Sequence, residues 1–150
     1  MTARTLGFIG GGRVTRIILE GLRQSGCGLQ DVVVSDVDGG ALTKLKEKYP
    51  DLRISPGDNR MPAACDTVFL ALHPPACLPV LDEIKGSLRP GAVLVSLAPK
   101  LTLARISEKL GGFSRLVRMI PNAPSIVGAG LFPVRLVPVR SHGPHPRQAA

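Results

Sequence analysis

Short apolar runs separated by polar, glycine-bearing breaks recur along this chain, and their spacing alternates between two periods. Leu6, Phe8 and Ile9 form a brief extended run that ends in Gly10, Gly11 and Gly12. Val14, Ile17, Ile18, Gly21 and Leu22 then fall on one face of a 3.6-residue repeat, which predicts a helix. Residues 31–35 (DVVVS) read as a strand buried on both faces, because the β-branched run does not alternate. In residues 41–49 Leu42, Leu45 and Tyr49 line one side, with Lys44, Lys46, Glu47 and Lys48 outward, so this is a surface helix that Pro50 stops. Leu52 to Ile54 is a short strand, and the polar stretch Ser55 to Ala64 holds a loop and one helical turn.

The same alternation then repeats. Asp66 to Leu72 is a strand, and Leu78, Leu81, Ile84 and Leu88 mark a crossover helix. Gly91 to Leu97 is another strand, Thr102 caps a helix through Leu110 that Gly111-Gly112 ends, and Arg115 to Ile120 is the last clear strand. Strands alternating with helices predict an α/β fold: one doubly wound, Rossmann-type parallel sheet, in two halves on either side of about residue 60. The expected division is a nucleotide-binding domain over residues 1–133 and a basic, proline-rich tail over 134–150. Within the tail Phe132 to Val139 has the pattern of an edge strand, and Ser141 onward has the composition of a disordered segment.

In such a sheet ligands bind outside the carboxyl ends of the strands. There the chain places the glycines, Asp36, His73, Ala98 to Lys100, and Pro121-Asn122-Ala123-Pro124. Gly10 and Gly12 fill the first two places of the dinucleotide fingerprint G-x-G-x-x-G; Thr15 takes the third, where a small residue lets helix and strand pack closely. A threonine there is expected to push the helix outward. Asp36 ends the second strand at the distance of an acid that accepts hydrogen bonds from an adenosine ribose. Either Asp36 or Asp38 instead caps the next helix; Asp38 fits the cap better, Asp36 the ribose. No acid–base pair for proton chemistry stands out in the crevice, which suits hydride transfer, where the cofactor carries the chemistry.

Composition narrows the picture in three respects. The chain is 44% hydrophobic with 3% aromatics, so the core is aliphatic. Cys27, Cys65 and Cys77 are odd in number and lack C-x-x-C spacing, which fits reduced, partly buried thiols of a cytoplasmic protein and no metal set. The net charge of +8 raises nucleic acid as a partner, but every acid lies before residue 109 while Arg135, Arg140 and Arg147 crowd the last stretch, and no basic stripe is interleaved with aromatics. Nucleic acid is therefore not expected. Nor is a membrane, since no apolar run reaches the length of a span and the first strand begins too early for a signal peptide.

Four segments carry a family resemblance: GFIGGGRVTRIILEGL, FLALHPP, VLVSLAPKLTLARISEKLG and VRMIPNAPSIVGAG. They resemble the N-terminal half of pyrroline-5-carboxylate reductase, the last being the most specific. The resemblance spans about Leu6 to Leu131. It implies a Rossmann domain followed by a helical dimerisation domain, a homo-oligomer, and reduction of a small cyclic imine to proline with hydride from a nicotinamide cofactor, usually NADPH. The implied cofactor-binding residues are Gly10, Gly11, Gly12, Arg13, Val14, Asp36, Leu72, His73, Pro74 and Asn122, with the catalytic residues unassigned. Some positions depart from the family. His73 stands in place of a lysine, Lys100 in place of a glycine and Ala123 in place of a threonine. Asp36-Val37 replaces an Asn-Arg pair, which removes the guanidinium that grips a 2′-phosphate and favours NAD over NADP. Where the family continues into helices, this chain reads FPVRLVPVRSHGPHPRQAA, the pattern expected of a truncated or frame-shifted product or of a short form. Activity is then impaired, or the chain is a non-catalytic dinucleotide-binding module.

Overall fold

The computed structural model describes residues 4–120 and 134–135. Twelve elements follow one another among them: β1 (Leu6–Ile9), α1 (Arg13–Gln24), β2 (Val32–Asp36), α2 (Gly39–Lys48), β3 (Arg53–Pro56), α3 (Arg60–Ala63), β4 (Thr67–Leu70), α4 (Pro74–Ile84), β5 (Val93–Ser96), α5 (Leu103–Lys109), β6 (Leu116–Met119) and β7 (Val134–Arg135). The sheet order is β3-β2-β1-β4-β5-β6-β7. The first six strands are parallel, and β7 runs antiparallel to β6 at the edge, within the stretch expected to form an edge strand. The order reverses between β1 and β4, so their carboxyl ends open the crevice.

Successive strand residues face opposite sides of the sheet, and each side has its own helical cover. Phe8, Val32 and Val34 pack with Ile18, Leu19, Leu42, Leu45 and Tyr49 of the α1–α2 side. Ile9, Val68, Leu70 and Leu94 pack with Cys77, Leu81, Ile84 and Ile106 of the α4–α5 side. The few aromatics are used where strands meet: Phe8 and Phe69 are register partners and stack with ring centroids 4.5 Å apart. Caps fall where the sequence puts them. Asp38 Oδ1 accepts from the amides of Gly40 and Ala41 at the start of α2, and Thr102 Oγ1 accepts from Arg105 N at the start of α5.

Three expectations are corrected. Leu88 lies beyond α4, which ends at Ile84, and the fully buried Cys77 takes a core position on that helix. Cys27 is exposed, unlike Cys65 and Cys77. Thr15 does not hold α1 off the sheet: it is fully buried and its hydroxyl donates to Gly10 O at 2.5 Å. The β-hydroxyl thus finds an acceptor inside the turn itself, so the side chain fills a hydrogen-bonded niche.

A polar network below α1 is absent from the hydrophobic pattern. The buried Glu20 carboxylate accepts from Arg23, from Tyr49 Oη at 2.6 Å and from Gln24, with Lys48 Nζ at 3.6 Å. Arg23, then Tyr49, hold its pKa down at about 2, below the ordinary 4.5, while burial and the carboxylate push the Tyr49 phenol up. The folded-state value lies below the unfolded one, so this contribution to stability is fully present above pH 4.5 and disappears as pH falls toward 2. Glu20→Gln is therefore expected to lower the urea midpoint near neutral pH and to flatten its fall through the acid range. A variant with the wild-type acid limb would remove Glu20 from the acid response.

Candidate active site at the sheet switch point

The turn after β1 is shaped by contacts that no other residue type satisfies. Gly10 has φ +104, and a Cβ there would lie 2.3 Å from Ala71 O, so the turn presses directly against the end of β4. Gly11 is buried, and its amide donates to Asp36 Oδ2 at 2.7 Å. Asp36 Oδ1 in turn accepts from Asp38 N at 2.9 Å. Gly12 is different. It caps α1 with ordinary backbone angles (φ −81, ψ −161), offers no side-chain cap, and a Cβ added to it would meet nothing within 4 Å. The twelve-residue helix therefore begins with its positive end uncapped and facing open space, with no acid in its first turn.

That space is a cleft of about 570 Å³. Its walls are the α1 start (Gly12, Arg13, Val14), the β4–α4 turn (Ala71 to Pro74), the β5–α5 loop (Leu97 to Lys100) and the end of β6 (Arg118, Met119, Ile120). The sheet ladder runs on into its floor, where Ala71 N donates to Ile9 O and Leu97 N to Leu70 O. Basic side chains line it at Arg13, Lys100 and Arg118, and no carboxylate does. The size and mainly apolar lining suit a small organic ligand, and the helix start suits an anionic group on it.

Of the expected residues, Gly12, Arg13, Val14, Leu72, His73 and Pro74 share this cleft. Gly10 and Gly11 lie behind its wall, and Asp36 ends β2, tied to Gly11. Asn122, Ala123 and Ser141 onward lie outside the described residues. His73 caps α4 with no side-chain hydrogen bond, and its carbonyl accepts from Ala76 N. Sequence reasoning missed Arg118 and Met119 as cleft residues. The signal was available in their position at the end of the last clear parallel strand. Among the described residues no group of His, Cys, Asp and Glu has metal-binding geometry, and no helix is long and apolar enough to cross a membrane.

Residues 5–100 match the family described as NADP oxidoreductase, coenzyme F420-dependent. The chain belongs to that family. It is 31% identical over 134 residues to pyrroline-5-carboxylate reductase of Corynebacterium melassecola, a match covering 87% of this chain and 49% of the relative. The structure of a pyrroline-5-carboxylate reductase from Coxiella burnetii superposes with a TM-score of 0.80 at 34% identity, covering 89% of this chain and 49% of that one. The Plasmodium falciparum pyrroline carboxylate reductase with NADP bound shares the fold, with a TM-score of 0.75 at 24% identity over 90% of this chain and 48% of that one. The chain thus spans about half the length of the relatives it matches. Within that half it is a Rossmann-type NADP oxidoreductase domain, and its similarity to pyrroline-5-carboxylate reductases runs well past residue 100.

Proposed function

We propose that this domain binds a nicotinamide dinucleotide across the β1–β4 crevice and serves as the cofactor half of an imine reductase of the pyrroline-5-carboxylate type. The observation that carries the reading is the uncapped start of α1 behind a glycine whose missing Cβ leaves the cleft open. A pyrophosphate fits that combination of free amides, helix dipole and close backbone approach. Arg13 adds a cation beside it, and Leu72, His73 and Pro74 supply the facing wall. Asp36 takes the adenosine ribose: each carboxylate oxygen receives one backbone N–H, and the second acceptor position on each leaves capacity for a ribose hydroxyl. The nicotinamide, when bound, supplies the hydride; the chain's residues hold it, orient it and shield it from water. A small-molecule imine is the proposed substrate, and the second half of such an enzyme would complete its pocket and join subunits.

NAD is the proposed cofactor despite the NADP in the family's description. Asp36 would face a 2′-phosphate, and its neighbour Val37 is 92% exposed and offers no cation. Like charges about 4 Å apart repel by about 1 kcal/mol in water and about 4 kcal/mol at an effective dielectric of about 20. NAD⁺ is therefore expected to bind at least several-fold more tightly than NADP⁺ in calorimetry at low salt. Equal or tighter NADP⁺ binding would defeat the assignment of Asp36 to the ribose. The half-length match also supports a second reading, a dinucleotide-binding module that catalyses nothing, for which cofactor binding without imine reduction in any longer form of the protein is the test.

A further inference from the structure

Lys100 lies in the β5–α5 loop, lines the cleft, is exposed, and makes no hydrogen bond or ion pair among the described residues. The peptide that carries it is held with unusual care. Arg118, at the end of the neighbouring strand β6, donates from Nη1 to Pro99 O at 2.8 Å and from Nη2 to Leu101 O. These carbonyls flank Lys100 on either side. One guanidinium therefore pins both residues next to the lysine, while the lysine's own ammonium is left unsatisfied over an apolar hollow without a carboxylate. Arg118 is partly buried, so its grip on the loop is stronger than that of a fully solvated pair. A loop fixed on both sides of one free cation is suited to receive an anion at a defined place.

That place is away from the cofactor's own phosphates. The glycine turn follows β1, whereas Lys100 follows β5, two strands along the sheet and about 10 Å away at the usual strand spacing. Asp36 follows β2, on the opposite side of β1. A dinucleotide with its ribose at Asp36 and its pyrophosphate at the turn directs its reacting ring toward β4 and β5, into the reach of Lys100. We propose that Lys100, positioned by Arg118, binds the carboxylate of the substrate and so selects a carboxylate-bearing imine or amine over its uncharged counterpart. This rests on the dinucleotide reading above.

The test uses the full chain. NAD⁺ and NADP⁺ are titrated first; L-proline and pyrrolidine, which lacks the carboxylate, are then titrated by NMR into the cofactor-saturated protein. L-Proline is expected to bind more tightly than pyrrolidine, and Lys100→Ala to weaken it about tenfold or more, the loss of one charge-assisted hydrogen bond. Cofactor affinity and pyrrolidine binding should stay as they were, and Lys100→Arg should restore much of the loss. Arg118→Gln should weaken L-proline in the wild-type background but add little to Lys100→Ala, a coupling that a purely structural role would not produce. Unchanged L-proline binding in Lys100→Ala, or none to the cofactor-loaded wild type, overturns the proposal and leaves the cofactor site standing. So does a weakened cofactor in Lys100→Ala, which would assign the lysine to a phosphate. Failure of both cofactors to bind wild type would overturn the dinucleotide reading, and this proposal with it.

Discussion

Gly12→Val is expected to abolish dinucleotide binding, by about a hundredfold or more in Kd, while leaving the thermal midpoint close to wild type. The two halves of that expectation have separate physical causes. Valine adds its branched carbons where a pyrophosphate must approach the first amides of α1, so the ligand loses both the contact and the favourable end of the helix. The protein loses almost nothing, because a Cβ at Gly12 meets no atom within 4 Å and the backbone there has angles open to any L-residue. Gly10→Ala is the informative control. Its φ of +104 and the Ala71 carbonyl 2.3 Å from the added carbon make it a folding lesion, expected to lower the midpoint sharply. Calorimetry with NAD⁺ beside a thermal melt separates the two, and Gly12→Val binding with wild-type affinity would sink the cofactor site.

A polypeptide of residues 1–150 alone is expected to oxidise NADH or NADPH negligibly with pyrroline-5-carboxylate, even when it binds cofactor. Holding two reactants in register supplies about 7–11 kcal/mol of a barrier, and that requires walls on both sides of the reacting atoms. The described residues supply one side: the ends of β1, β4, β5 and β6 with their turns. At the rim Ile120 is 54% exposed, an apolar side chain in a position suited to a covering surface. The matched relatives are about twice as long. Fusing the remaining half of one of them after about Leu131 is expected to restore turnover. Robust activity from the unfused, monodisperse chain would show that the cleft as it stands suffices.

The parallel sheet was legible because its strands are unbroken aliphatic runs; Val32 to Val34 and Leu94 to Ser96 have few other ways to be buried. Helix starts were legible where a side chain performs the cap, as at Asp38 and Thr102. The Glu20 network was not. A glutamate between Leu19 and Gly21 reads as one more outward charge, and only the fold brings Tyr49 and Lys48 to it from another helix's end. In the site, spacing alone located the glycine turn and Asp36, since these are local to a single β–α–β unit. The contribution of β6 was obscured for the opposite reason. Arg118 meets the β5–α5 loop only once two strands separated by a whole helix lie side by side.

The bond from the Gly11 amide to Asp36 has a consequence for how such a domain can change over generations. The same carboxylate proposed to read the ribose also fastens the backbone beneath the phosphates. A lineage that replaces Asp36 with a neutral or basic residue, so as to accept the other cofactor, unties the Gly11 amide and the Asp38 amide in the same step. Each would then need a new acceptor before the gain in cofactor range could be kept. Cofactor preference in this domain is thus under two constraints at once, and its switch runs through compensating changes in the turn as well as at position 36.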